Sequence, residues 1–208
     1  MLTEVYKSKR GPKAIIEHFY EKVGITEAFI VVLVSFVINM LLCLVLKVPG
    51  LGKVSAYNAY SSILINWLLL GIIIYLLMYF IKGAKNLPKK PFQKVLSSLS
   101  AFRIPAIIYT IISAAIALLF LSPYIPVFQA ILQNNLLATS MTLYPALTTA
   151  NIIGIILLVT LSLVFLVYVT VMLYQFSKTI FDVKNPALNI VLMLLVLAIT
   201  ALLGFIFL

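Results

Sequence analysis

Five apolar stretches set what this chain can become. They run at about 28–46, 63–81, 102–121, 152–174 and 188–208, contain no Asp or Glu, and hold one basic residue between them, Arg103. A helix needs about 20 residues to cross the hydrocarbon core of a bilayer, and each stretch meets that length. In lipid every backbone N–H and C=O must find its partner within the protein, so runs of this kind become helices. The fold expected is all-α: a polytopic bundle of five transmembrane helices (28–208) behind an N-terminal cytoplasmic segment (1–27) that carries an interfacial helix. The balance of residues agrees. Of 208 residues 64% are hydrophobic and 10% charged, too apolar for a soluble domain of this size.

The charges come in blocks. Lys82 to Pro105 (KGAKNLPKKPFQKVLSSLSAFRIP) holds six basic residues, Lys82, Lys85, Lys89, Lys90, Lys94 and Arg103, and no acid. It reads as a basic hairpin between the second and third spans. Residues 1–27 add five Lys/Arg and the link after the fourth span adds Lys178 and Lys184, whereas the loops on the other side offer only Lys47 and Lys53. Thirteen against two is a strong positive-inside bias. It places the N-terminus in the cytoplasm and the C-terminus outside, in a multi-pass membrane protein. A net charge of +10 could point to nucleic acid in a soluble protein. Here the lysines flank apolar runs, so an anionic lipid bilayer is the expected partner and nucleic acid is not.

Pro12 can open a helix, because its missing N–H is not needed in the first turn. From there Ile15, Ile16, Phe19, Tyr20 and Val23 share one face, with Lys13, Glu17, His18, Glu21 and Lys22 elsewhere. A short, charged, amphipathic helix lying in the membrane interface fits this pattern, as does a helix packed on the cytoplasmic ends of the spans. The charged N-terminus has no small-residue cleavage site after a short apolar core, so the first span is expected to act as an uncleaved anchor. In that span Ser35 and Asn39 lie one turn apart and are read as polar packing between helices. Cys43, the single cysteine, extends their face. Residues 47–62 read as a loop broken by Pro49, Gly50 and Gly52, with Asn66 and Trp67 near the start of the second span at headgroup level. In the hairpin Phe92, Val95, Leu96, Leu99 and Phe102 repeat at helical spacing, giving an amphipathic helix that runs along the surface into the third span. Arg103 can snorkel to the headgroups. Pro105 either kinks the span or sits in the first turn of a new helical segment. Residues 122–151 are uncharged and read as an outer loop. Residues 175–187 read as a short link, and no soluble domain is expected after the last span.

Reactive constellations are missing. His18 is the one histidine and lies outside the spans, and no carboxylate lies inside them. A zinc protease, a Ser–His dyad and an intramembrane aspartyl pair therefore lack their residues. No cofactor is expected, and no enzymatic activity. The residues expected to contact the membrane surface or a partner are Lys85, Lys89, Lys90, Lys94 and Arg103, with Ile15, Phe19 and Tyr20 as an apolar contact. The competing reading, a small-solute channel, carrier or permease component, would draw on Ser35, Asn39, Asn66, Thr110 and Asn151 as polar lining.

The order of these parts resembles the YIP family, the Ypt/Rab-interacting membrane proteins, in its compact prokaryotic form. The resemblance covers nearly the whole chain. Gly11, Pro12 and Phe19 precede the first span as in prokaryotic members. Phe92, Gln93 and Lys94 in a Lys/Gly hairpin are similar to the family's "G-x-x-s-f-k-q" pattern, and Ser100-Ala101-Phe102-Arg103-Ile104-Pro105 is similar to its "a-Y-s-x-x-P" pattern. Tyr168 through Leu208 resembles the family's closing span, short link and last span. The long N-terminal region and the Asp-Leu-Tyr-Gly-Pro signature of eukaryotic members are missing here. The resemblance implies five spans, the topology above, a non-enzymatic role as adaptor or organiser in membranes, and assembly into homo- or hetero-oligomers. A GTPase partner is implied by the resemblance alone.

Overall fold

The computed structural model describes residues 11–45, 53–124 and 148–207, and all of its regular structure is helical. The elements are α1 (Pro12–Glu21), α2 (Ile25–Val45), α3 (Lys53–Lys82), α4 (Pro91–Ser100), α5 (Arg103–Phe120), α6 (Thr149–Phe181) and α7 (Pro186–Phe207), with short 3-10 turns at Ala84–Asn86 and Ser122–Tyr124. Five stretches, beginning at Ile25, Ile63, Pro91, Thr149 and Pro186, are long and apolar enough to cross a membrane. The chain is thus an all-α multi-pass membrane protein. The long helices pack in a closed order: α2 on α5, α5 on α6, α6 on α7, α7 on α3, and α3 back on α2. Their outward faces carry exposed Leu, Ile, Val and Phe, as expected where lipid is the solvent.

Two elements are longer than expected. Residues 53–62, read from the sequence as loop, are the opening turns of α3, whose 30 residues span about 45 Å at 1.5 Å per residue. The link expected at 175–187 shrinks to 182–185, because α6 continues to Phe181 over 33 residues, about 50 Å. A bilayer core is about 30 Å thick, so both helices exceed it. The end of α6 is not a bare extension: Met172, Phe176, Ser177, Ile180 and Phe181 are buried, and α1 packs on this helix. The amphipathic pattern of α1 therefore resolves toward packing against the bundle. Ile16, Phe19 and Val23 are buried in the main core.

The third crossing is broken. Pro105 has no N–H for the Ala101 carbonyl, and its ring crowds that carbonyl. The backbone tightens instead: Ala101, Phe102 and Ile104 donate to the carbonyls three residues back, each at 3.3 Å. Pro105 thus sits in the first turn of a new segment, α5. The helix before the break is not a surface helix. Phe92 meets Tyr75 edge-on at 5.8 Å, Leu96 lies against Gly71, and the Leu96 carbonyl accepts a 3.1 Å hydrogen bond from Trp67 Nε1. So α4 runs antiparallel to α3, and its contacts climb from Tyr75 to Trp67, about 12 Å along α3. It contacts α1, α2, α3 and α5, and Val95 through Ala101 are all buried, serines included. Trp67, placed by sequence at headgroup level, is a core residue 4% exposed. Once α3 begins at Lys53, Trp67 lies fourteen residues inside the helix.

Candidate functional site: the basic end of the bundle

The basic hairpin is held by α4. Gly71 supplies the close approach: a side-chain β-carbon there would collide with Leu96 Cδ2 and stand 3.2 Å from its Cγ. Small Ser97, Ser98 and Ser100 let the neighbouring helices close around the rest of α4. Ser100 Oγ donates to the Ser97 carbonyl at 2.7 Å, while Ser97 and Ser98 Oγ are buried with no hydrogen-bond partner. The loop ahead of α4 is thereby fixed at one end to the core and at the other to the terminus of α3.

On this base the expected contact residues divide. Lys85, Lys89 and Lys90 are exposed, and Lys90 holds the left-handed backbone, φ 52°, that turns the chain into α4. Lys94 lies partly buried with its ammonium 4.3 Å from the centre of the Tyr20 ring, a cation–π contact. Arg103 opens α5 and is partly buried. Among the described residues the one ion pair is Lys13 with Glu17, 3.5 Å apart on α1. Phe19 is 5% exposed and belongs to the core, so it is a contact within the bundle and presents no surface to a partner. Ile15 and Tyr20 pack partly against the same core. Burial, and then the carboxylates of Asp182 and Glu21, push the Tyr20 phenol above its ordinary range. The exposed Lys22, Lys178 and Lys184 extend the basic surface, and Glu21 and Asp182 are its exposed acids.

Most polar residues inside the bundle bond along their own helix, to a neighbouring helix or at a helix cap. Ser35 is 1% exposed, and Asn39 Nδ2 donates to its carbonyl at 2.7 Å along the same helix. Thr110 donates to the Ala106 carbonyl. Asn151, expected in a loop, completes a capping box with Thr148 at the start of α6 and donates to the Phe120 carbonyl, tying α6 to α5. Asn66 Oδ1 is buried without a partner. Tyr109 and Ser162 hydroxyls lie 2.9 Å apart, with the Tyr109 ring stacked on Phe165 at 4.4 Å. One junction was missed by sequence reasoning. Ser177 Oγ donates to Asn189 Oδ1 at 2.7 Å, and Asn189 Nδ2 donates to the Tyr174 carbonyl at 3.2 Å. A lone asparagine in the first turn of an apolar span was the available signal. The expected roles for the Cys43 side chain and for residues 125–147 lie outside the described residues.

Among the described residues no three His, Cys, Asp or Glu side chains come together to hold a metal. Fold and site together define a class: a five-span helical membrane protein with one basic end. No protein-family model matches the chain, and no curated protein or solved structure matches it either.

Proposed function

We propose that this protein is a membrane adaptor or organising protein of the YIP type, acting through protein and lipid contacts and not through chemistry. Its N-terminus and basic end lie in the cytoplasm of a prokaryotic cell, and its C-terminus lies outside. The observation that carries this reading is the placement of Lys85, Lys89 and Lys90, exposed on a loop whose following helix is locked among four neighbours. Each lysine near an anionic surface contributes about 1 kcal/mol, and a fixed loop presents the charges without first having to be ordered. Anionic lipid and a second membrane protein, a like copy or another chain, are the partners such a surface suits. A GTPase enters only through the family resemblance. The adaptor is favoured over a solute path because, of the candidate lining residues, Asn39, Thr110 and Asn151 hydrogen-bond to helix carbonyls and Asn66 alone has an unpaired buried oxygen.

The test is photocrosslinking in native membranes from Lys85 or Lys89, each replaced in turn by a photoreactive residue, with identification of the adducts. A protein partner whose adduct is lost when the other three of Lys85, Lys89, Lys90 and Lys94 are changed to Gln around the photoreactive residue is the expected result. Adducts to lipid alone from both positions, together with solute flux in proteoliposomes, would overturn the reading.

A further inference from the structure

Where α2, α3 and α4 meet, the bundle leaves an apolar groove of about 360 Å³ open to its surroundings. Ile25, Thr26 and Phe29 of α2, Trp67 and Leu68 of α3, and Phe92 and Leu96 of α4 form its walls, with Thr26 their one hydroxyl. Its size falls in the range of small-molecule sites, about 300–1,000 Å³, and its lining has almost nothing to hydrogen-bond. Such a surface accepts a hydrocarbon chain. The two segments that lead into the groove carry three lysines between them. Lys22 stands three residues before Ile25, Lys89 and Lys90 stand three and two residues before Phe92, and all three lysines are exposed. Against these three lysines stand two acids, Glu21, which is exposed, and Glu27, whose Oε2 accepts the Gly24 N–H at 2.8 Å, so the approach to the groove keeps a net positive charge.

We propose that this groove binds an anionic glycerophospholipid, with one acyl chain against Trp67 and the headgroup phosphate held by Lys22, Lys89 and Lys90. The inference rests on the proposal that the basic end lies at the membrane surface, and it assigns a lipid class and a position to that end. Charge complementarity selects an anionic headgroup over a zwitterionic one. The apolar walls select a lipid over a soluble phosphate, which would leave them in water.

Trp67 is the only tryptophan of the chain, so its fluorescence reports on this groove alone. The full-length protein is placed in nanodiscs containing phosphatidylglycerol or phosphatidylcholine brominated on the acyl chain, and quenching is followed against mole fraction. Expected is half-quenching by the anionic lipid at about tenfold lower mole fraction, the scale set by a few lysines near a charged headgroup after screening. The variant with Lys22, Lys89 and Lys90 changed to Gln loses that preference, while one with Lys13, Lys178 and Lys184 changed to Gln keeps it. Helicity and unquenched emission must match the unaltered protein in both. Equal quenching by the two lipids, no quenching by either, or a preference that survives the first variant would overturn the proposal. No protein partner is needed here, so failure to crosslink one leaves this result standing, and loss of the lipid preference leaves the crosslinking result standing.

Discussion

Replacing Gly71 with alanine tests whether α4 is locked into the bundle. The added methyl would collide with Leu96 Cδ2 and stand 3.2 Å from Cγ. Leu96 is fully buried, so its side chain must repack toward the groove it lines or the helices must separate slightly. Overpacking of this kind costs about 1–3 kcal/mol. Against it stands the intrinsic preference of a helix for Ala over Gly, about 1 kcal/mol. The net expectation is a loss of up to about 2 kcal/mol. Leu96→Ala alone leaves a cavity and costs about 2–5 kcal/mol. In that background the sign reverses, because the Gly71→Ala methyl enters the vacated space and the propensity gain remains. The coupling between the two sites is then about 1–3 kcal/mol. Equilibrium unfolding in mixed micelles with increasing SDS, followed by circular dichroism and by Trp67 emission, measures all four corners of the cycle. The same effect of Gly71→Ala in both backgrounds would refute the packing argument and return α4 to the surface.

Two further outcomes follow from the same geometry. Asn189→Ala removes both hydrogen bonds across the α6–α7 junction; at about 0.6–1.7 kcal/mol per bond in membrane helices it should cost about 1–3 kcal/mol, with Ser177→Ala non-additive in a double-mutant cycle, and zero coupling would count against the junction. The Tyr20 phenol should ionise above the ordinary tyrosine range, seen in the ultraviolet difference spectrum between the unaltered protein and Tyr20→Phe. Because its folded pKa is raised, any stability it contributes is present below the unfolded value, near 10, and is lost as pH rises through the folded one; a Tyr20 that ionises at or below the ordinary value would contradict its burial beside Asp182.

The spans were legible because apolar runs free of acid have no alternative in lipid, and α1 because Ile16 and Phe19 repeat on one helical face. The helix ends were not legible. The segment Gln175–Phe181 contains Ser177 and Lys178, which look like a link, yet Phe176, Ile180 and Phe181 recur at helical spacing and α1 covers them. Trp67 was misplaced for a related reason: an amphipathic ring suits an interface, but the Leu96 carbonyl offers it an internal partner that no local pattern announces. Burial of Ser97, Ser98 and Ser100 could not be read from composition, since serine suits both a polar face and a close helix contact. At the basic end Lys85, Lys89 and Lys90 stood out as a charge run. Their division from Phe19, which turns inward, depends on tertiary packing.

The central claim is that the basic end is the working face in the cytoplasm. With Cys43, the sole cysteine, replaced by Ala, a Lys85→Cys variant and a Thr148→Cys variant report on opposite ends of the bundle. Each is exposed to a membrane-impermeant maleimide in intact and in lysed cells. Labelling of Lys85→Cys only after lysis, and of Thr148→Cys already in intact cells, is the predicted result. The reverse pattern would put the basic end outside and contradict the account.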